Sequence, residues 1–299
     1  MGQALAEAFP EARAVFDAAD EALHEPLSKL CFEGPADALQ KTANTQPAIL
    51  TVSAAAHAVL SARLPEKPAL VAGHSLGEYS ALVAAGALSL ADGVRLVRAR
   101  GTFMQEAVPV GVGAMAAVLG LPAEQVAEIC REVAQGEVLS AANFNEPAQT
   151  VIAGHAAAVE RAGERLKAAG AKRVVPLDVS APFHCSLMAP VVPRLKAVLD
   201  PIEVLAPASP VVTNVEASPT SEPGQIRSLL LTQVTSSVRW VECVRAMEAH
   251  GIKTVIELGP GKVLSGLVRR ITKSIQCLNV ENPASLEKTL AALGGAARG

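Results

Sequence analysis

The residue best suited to covalent chemistry is Ser75, which lies in the segment Gly73-His-Ser-Leu-Gly77. An apolar run, residues 69–72, precedes this segment, and a stretch rich in alanine and leucine follows it. Strand, G-x-S-x-G and helix in that order is the context of a nucleophile elbow, where a sharp turn lifts the serine hydroxyl to the helix N-terminus. Such a turn requires nearly side-chain-free residues two before and two after the serine, at Gly73 and Gly77. We predict that Ser75 is a nucleophile; the alternative is an ordinary small-residue turn.

Arg100 is the second residue with unusual placement. The sequence predicts a helix from 89–92 to about 107, and at about 100° per residue Arg95 and Arg98 lie on its polar side. Arg100 falls in the middle of the apolar side. A buried guanidinium cannot be neutralised and needs an anionic partner. Arg100 therefore forms either a structural salt bridge with a core carboxylate or the floor of a pocket that receives a substrate carboxylate.

A serine nucleophile needs a base, and His184 is the strongest candidate. It lies in a proline-containing loop, Val179–Met188, that leads into a helix, and it follows Ser75 in chain order. We predict that it acts as general base and then general acid; a helix-capping histidine is the alternative. We assign surface or packing roles to His24, His57 and His250, a capping position to His155, and a pocket-wall or structural role to His74.

The residues alone do not decide which group orients the imidazole of His184. A triad in the same chain order requires an acid between serine and histidine, and Asp92, Glu146 and Asp178 are available. None of these stands clearly at the end of a predicted strand. A dyad, in which a backbone carbonyl orients the imidazole, fits at least as well.

These residues must be positioned by an α/β fold. From about 112 to 177 the predicted elements follow the order β-α-β-β-α-β, which is that of a ferredoxin-like unit. Strands and helices alternate on both sides of it, which favours a mainly parallel sheet. We predict a catalytic core from residues 1–110 and 181–299, with a ferredoxin-like subdomain at 111–180 and the ligand cleft between them.

Composition excludes several classes of function. A net charge of −3 over 299 residues gives no indication of nucleic-acid or membrane binding. The five cysteines are scattered and lack metal-ligand spacing, so we expect free thiols, no metal and a cytoplasmic protein. No apolar stretch reaches the length of a membrane span, and Glu7 and Glu11 interrupt any N-terminal signal region.

The motifs together resemble the malonyl-CoA:acyl-carrier-protein transacylases of bacterial fatty-acid synthesis, in order from about residue 10 to 290. The matching segments are Gly73-His-Ser-Leu-Gly-Glu-Tyr-Ser-Ala-Leu, Arg100-Gly, Met104-Gln-Glu-Ala, Gly113-Ala-Met-Ala, Asn143-Phe-Asn, Val151-Ile-Ala-Gly, Pro182-Phe-His-Cys and Glu257-Leu-Gly-Pro-Gly-Lys-Val-Leu. The resemblance implies an α/β-hydrolase-like core with a ferredoxin-like insert. It also implies ping-pong transfer of malonyl from coenzyme A to the phosphopantetheine thiol of the carrier protein, without a cofactor.

The same resemblance assigns roles to residues. Ser75 is the nucleophile and His184 the base; Arg100 clamps the free malonyl carboxylate. The backbone carbonyl of Gln233 orients the histidine, and the backbone N–H of Leu76 supplies half of the oxyanion hole. Substrate-binding positions follow from the quoted motifs: His74, Met104 and Phe183.

One expectation concerns the N-terminus. Members of the family begin with a strand and a Gly-Gln-Gly-Ser-Gln loop whose glutamine supplies the second oxyanion-hole N–H. This sequence starts at Met1-Gly-Gln-Ala-Leu, downstream of that segment. We expect a native start further upstream; a native chain that begins at Met1 would have reduced activity and marginal folding.

The resemblance also places carrier-protein docking at Lys172 and Arg173, with Arg269, Arg270 and Lys273 as a second basic cluster; ordinary solvated charge is the alternative. We expect a monomer. Three other functions stay open: a discrete acyltransferase of a polyketide synthase, a serine esterase or thioesterase that has no need of Arg100, and an inactive relative that only binds carrier protein.

Overall fold

The computed structural model describes residues 1–64, 66–179 and 181–296. Helices predominate in its N-terminal third and recur between the strands after it. They are α1 (Gln3–Ala8), α2 (Pro10–Leu23), α3 (Leu27–Glu33), α4 (Ala36–Gln40), α5 (Thr42–Ser61), α6 (Leu76–Ala84), α7 (Leu90–Glu106), α8 (Ala123–Val133), α9 (Ala156–Ala168), α10 (Val191–Leu199), α11 (Pro223–Thr232), α12 (Trp240–Ala249), α13 (Val263–Ile271) and α14 (Pro283–Ala296). Within the described ranges no helix combines the length and the apolar character that crossing a membrane demands.

The strands form three sheets in the described part of the chain. They are β1 (Val71–Ala72), β2 (Gly113–Leu119), β3 (Leu139–Glu146), β4 (Gln149–His155), β5 (Arg173–Pro176), β6 (Val211–Val212), β7 (Pro219–Thr220), β8 (Thr254–Leu258) and β9 (Gln276–Val280). In the core, β1 pairs with β6 in parallel and β7 adds antiparallel to β6. Strands β8 and β9 form a separate parallel pair. The predicted core strands are therefore present, but they are divided between two sheets.

The largest apolar cluster lies between the N-terminal helices and the elbow strand. Helices α2, α5 and α7 supply much of it, through side chains that include Phe16, Leu50 and Leu96, each fully buried. Helix α5 begins at Thr42 and contains Pro47 in its interior. Proline has no N–H for the carbonyl four residues earlier, Ala43. Arg98 Nη1 donates to that carbonyl at 2.9 Å, which satisfies the group that proline leaves unpaired.

The insert forms its own four-stranded antiparallel sheet, in the order β3-β4-β2-β5. This is the strand order of a ferredoxin-like fold built as β-α-β-β-α-β. Helices α8 and α9 pack on one face over a fully apolar cluster that includes Val118, Ile152 and Leu166. The predicted α/β architecture with this insert is confirmed; the domain limits at 111 and 180 stay a prediction.

The insert is joined to the core by hydrogen bonds as well as by chain continuity. The Phe144 N–H donates to the Val238 carbonyl, and the Val238 N–H donates to Ala142, each at 2.9 Å. Strand β3 is bulged in this region, which bends it toward α12. Asn145, near the end of β3, binds the side chain of His74, the residue before Ser75, so the insert lies beside the elbow.

Candidate active site

Ser75 stands between β1 and α6 in a backbone conformation that non-glycine residues rarely adopt, with φ 52° and ψ −108°. A Cβ atom at Gly73 would lie 2.0 Å from the carbonyl carbon and oxygen of Gly77, so glycine is required there. A Cβ atom at Gly77 would meet nothing within 4 Å. The expectation that both positions must be small is therefore wrong for Gly77. The steric demand of the elbow falls on one glycine.

His184 and Ser75 are in direct hydrogen-bonding contact. The Ser75 Oγ lies 2.7 Å from His184 Nε2, and His184 Nδ1 lies 3.0 Å from the backbone carbonyl of Gln233. That carbonyl can only accept, so Nδ1 carries the proton and Nε2 is left to accept from the serine. The imidazole is buried, with 4% of its surface exposed. Burial and the neighbouring Arg100 cation lower the pKa of His184 to about 3, which keeps the imidazole neutral and leaves Nε2 unprotonated.

Of the three acids considered as triad members, Asp178 is exposed and the other two bind other groups. Asp92 accepts from the hydroxyl of Ser89 at the start of α7, and Glu146 pairs with Arg270. The group that faces His184 Nδ1 is the carbonyl of Gln233. The geometry is that of a serine–histidine dyad oriented by the backbone.

Arg100 projects from α7 to the other side of Ser75 and has 1% of its surface exposed. Its Nη2 donates to Ser75 Oγ at 3.1 Å and to the Gln233 side-chain oxygen at 2.9 Å; Nη1 donates to Gln46 Oε1 at 2.8 Å. In the described residues the hydrogen-bond partners of the guanidinium are all neutral, and its Nε has no acceptor. The salt-bridge alternative is not what the structure contains. A buried, permanently charged group beside a nucleophile, with neutral partners only, is suited to bind an anion.

A polar network behind these residues escaped the sequence analysis. The Glu78 carboxylate, 1% exposed, accepts from Gln233 Nε2 and from the Asn214 backbone N–H, each at 2.9 Å. Burial raises the pKa of Glu78 to about 7. One signal was available, because an acid within the apolar helix Leu76–Ala84, three residues after Ser75, needs a buried partner. Nothing in the sequence indicates that Asn214 and Gln46 reach this network.

Two further predicted site residues, His74 and Leu76, are the direct neighbours of Ser75 in the chain. The N–H of Leu76, at the first position of α6, has no acceptor in the described part of the chain, whereas the next two amides donate to His74 and Ser75 carbonyls. His74 Nε2 binds Asn145 Oδ1 at 2.8 Å, and its ring lies 5.7 Å from that of Trp240. His74 thus faces the insert rather than the serine hydroxyl.

Met104 and Phe183 both pack against the apolar core, within a few residues of Arg100 and His184 respectively. Met104 is buried, and its sulfur accepts a hydrogen bond from Gln46 Nε2 at 3.8 Å. Met104 therefore packs beside Gln46, which also binds Arg100. Phe183 is half-buried and precedes His184 in the chain. Lys172 and Arg173 are exposed where β5 begins. Substrate and carrier contacts at these four positions stay predictions.

Comparison with known proteins decides the family. A family described as the acyl transferase domain matches residues 1–291. The chain belongs to the acyl transferase domain family. The malonyl CoA-acyl carrier protein transacylase of Escherichia coli K12 is 47% identical over 286 residues, which are 96% of this chain and 93% of the relative.

Solved structures agree with that assignment to the acyl transferase family. An acyl carrier protein S-malonyltransferase from Vibrio cholerae is 47% identical, with a TM-score of 0.94 over 97% of this chain and 94% of the other. A malonyl-transacylase solved with a type II PKS acyl-carrier protein is 46% identical, with a TM-score of 0.94 over 97% and 94% of the two chains. The expectation of an upstream strand and loop stays a prediction.

Proposed function

We propose that this acyl transferase moves a malonyl group from malonyl-CoA to the phosphopantetheine thiol of an acyl carrier protein, through a malonyl ester on Ser75. The observation that carries the proposal is Arg100, a buried cation whose Nη2 lies 3.1 Å from Ser75 Oγ and whose hydrogen-bond partners in the described residues are all neutral. The names of its relatives, at 47% identity, support the same activity.

In the first half-reaction, Ser75 Oγ attacks the thioester carbonyl carbon while His184 Nε2 takes the hydroxyl proton. The carbonyl oxygen becomes an oxyanion, and the N–H of Leu76 is placed to donate to it. When the tetrahedral intermediate collapses, the carbon–sulfur bond breaks and the imidazolium protonates the departing thiolate of coenzyme A. The Gln233 carbonyl holds the imidazole in the required tautomer throughout.

The second half-reaction runs the same steps with a different thiol. The thiol of the carrier's phosphopantetheine arm gives its proton to His184 and attacks the malonyl ester carbon. The ester bond breaks, and the imidazolium returns the proton to Ser75 Oγ. One base serves both halves because the leaving group of the first and the nucleophile of the second are both thiols, which is the basis of ping-pong exchange.

Arg100 provides selectivity for acyl groups that carry a free carboxylate. A malonyl carboxylate at the guanidinium forms charge-assisted hydrogen bonds. An acetyl group leaves the cation buried without an anion, at the desolvation cost of an unpaired charge. A serine esterase or thioesterase has no such requirement, so the geometry of Arg100 favours the transferase over that alternative.

The test is intact-protein and peptide mass spectrometry after brief incubation with malonyl-CoA or acetyl-CoA. We expect a malonyl adduct on the Ser75 peptide that is absent in Ser75→Ala. In Arg100→Met the rate of malonyl adduct formation should fall about 10- to 100-fold, as expected for the loss of a hydrogen-bonded charge, while that of acetyl should not fall.

The matched control for this test is Arg95→Met, which removes a half-exposed guanidinium from the same helix. We expect its malonyl rate to equal that of the unmodified chain. Equal acetyl and malonyl adducts in the unmodified chain would contradict the role of Arg100. No adduct with either donor would contradict the transferase and support an inactive carrier-binding protein.

The names of similar proteins support a role in fatty-acid synthesis and also a role with a polyketide synthase. The relatives named as malonyl CoA-acyl carrier protein transacylases favour the first, and the similar enzyme solved with a type II PKS carrier protein favours the second. We propose fatty-acid synthesis, with a monomeric protein located in the cytoplasm. Relative kcat/KM for purified carrier proteins of the two pathways separates these alternatives.

A further inference from the structure

Asn214 is a fully buried residue that the mechanism does not use. It lies two positions after β6, the strand that pairs with β1 in the register Ala72 with Val212. Beyond Ala72 the chain turns into the elbow, so the ladder between these strands ends. The Gly73 carbonyl and the Ser75 N–H are left beyond its last pair.

The side-chain amide of Asn214 binds both of these groups. Its Nδ2 donates to the Gly73 carbonyl at 2.7 Å, and its Oδ1 accepts from the Ser75 N–H at 2.6 Å. A carbonyl only accepts and an N–H only donates, so the two partners fix the orientation of the amide. The amide therefore continues the ladder by one rung, in the place of a peptide group that the turn prevents from pairing.

This contact bears on the strained residue itself. A serine at φ 52° and ψ −108° persists only where its surroundings hold both sides of the peptide. Asn214 binds the backbone carbonyl of Gly73 and the backbone N–H of Ser75, and so holds both ends of the turn. Glu78 Oε2, on the first turn of α6, accepts from the backbone N–H of Asn214 at 2.9 Å and so fixes Asn214 in turn.

We propose that Asn214 is a positioning residue for Ser75. The side-chain amide of Asn214 keeps the elbow in the conformation that directs Ser75 Oγ toward His184 Nε2. The proposal rests on the proposed role of Ser75 as nucleophile. Without the amide, the Gly73–Ser75 segment can relax toward common backbone angles, which moves Oγ out of the 2.7 Å contact with the base. Such a displacement slows attack on any electrophile, whether or not it carries a carboxylate.

The experiment measures the rate at which phenylmethylsulfonyl fluoride labels Ser75, followed by peptide mass spectrometry from pH 5 to 8. In this reaction the serine oxygen–sulfur bond forms, the sulfur–fluorine bond breaks, fluoride leaves and His184 takes the proton. In the unmodified chain His184 stays neutral over this range, because its pKa is about 3, so any change of rate with pH there comes from other groups. In Asn214→Ala we expect labelling at least about 50-fold slower at every pH, on the scale of misplaced reacting atoms.

Asn214→Asp gives a signature that a merely structural role would not. A protonated carboxyl offers one donor and one acceptor, as the amide does, whereas an ionised one sets an oxygen against the Gly73 carbonyl. We expect labelling as slow as in Asn214→Ala at pH 8 and recovery to within about fivefold of the unmodified chain at pH 5, reversibly in one sample.

Other groups around Asn214 also titrate or carry charge, and they must be separated from the introduced carboxyl. Glu78, with a pKa of about 7, contacts the Asn214 backbone, and Arg100 lies on the far side of Gln233. Both groups are present in the unmodified chain and in Asn214→Ala. The pH profiles of these two proteins therefore give the contribution of Glu78 and Arg100, which is subtracted from the profile of Asn214→Asp. Circular dichroism at each pH establishes that the variants compared are folded.

The matched control is Asn282→Asp, because Asn282 Oδ1 also accepts a backbone N–H, that of Ser285 at the start of α14. We expect it to label at the unmodified rate. Labelling of Asn214→Ala at the unmodified rate, or an Asn214→Asp profile that matches the unmodified chain, would overturn the positioning role. The absence of a malonyl adduct, with the labelling differences intact, would instead contradict the proposed function alone.

Discussion

The elbow and the insert sheet are assembled in opposite ways. Ser75 is held by contacts to residues 25, 109 and 139 positions away, namely Arg100, His184 and Asn214. The four strands of the insert sheet all lie between Gly113 and Pro176 and pair with strands close to them in sequence. The centres also differ in polarity, because the elbow buries charged and amide groups while the insert buries an apolar cluster. We therefore expect substitutions in the first to change rate and substitutions in the second to change stability.

The largest effect should come from the base. His184→Ala removes the group 2.7 Å from Ser75 Oγ, and we expect the single-turnover rate of malonyl transfer to fall by about 10⁴-fold or more. The matched variant in the insert is His155→Ala, whose Nδ1 accepts from the Val138 N–H. A stopped-flow assay should show less than about a threefold change there. A comparable loss in both would remove the distinction between the regions.

The next effect tests the elbow glycines as a pair. Gly73→Ala places a Cβ atom 2.0 Å from the Gly77 carbonyl, so the turn must open and Ser75 must move. We expect at least about a 100-fold loss of Ser75 acylation rate. Gly77→Ala meets open space within the first turn of α6, and we expect nearly normal rates with up to about 1 kcal/mol of added stability. Equal losses would show that both positions are sterically required.

In the insert, Leu166→Ala should act on stability. Leu166 is fully buried in the cluster between α9 and the sheet, and its truncation leaves a cavity that costs about 2–5 kcal/mol of unfolding free energy. We expect a lower denaturant midpoint with kcat per folded molecule changed less than twofold. A large change in kcat at full folding would mean that insert packing is transmitted to the elbow.

The smallest expected effect concerns carrier-protein docking. It would show that the insert, which otherwise acts on stability, also contributes to substrate binding. Lys172→Glu combined with Arg173→Glu reverses two exposed charges at the start of β5, where the resemblance places carrier-protein docking. We expect KM for the carrier protein to rise about 3- to 10-fold, as for charges at the rim of an interface, with KM for malonyl-CoA unchanged. Equal effects on both substrates, or none, would exclude docking at this position.

Local sequence determined much of this protein. Ser89 begins α7 as its N-cap, the insert elements follow the predicted order β-α-β-β-α-β, and the periodicity of α7 placed Arg100 on its buried side. These succeed because a cap, a repeat of apolar residues or a small-residue turn reports on neighbours in the chain. The resemblance supplied Gln233 as the group that faces His184, which spacing alone did not reach.

Tertiary structure decided the rest. That Glu78 and Asn214 brace the elbow, that Arg98 replaces the hydrogen bond lost at Pro47, and that Gly77 has room for a side chain all depend on segments far apart in sequence. A buried polar group requires some partner, and its residue type makes that requirement visible in the sequence. Which partner meets it is fixed only when the strands and helices pack, because hydrogen bonds depend on distance and direction in space.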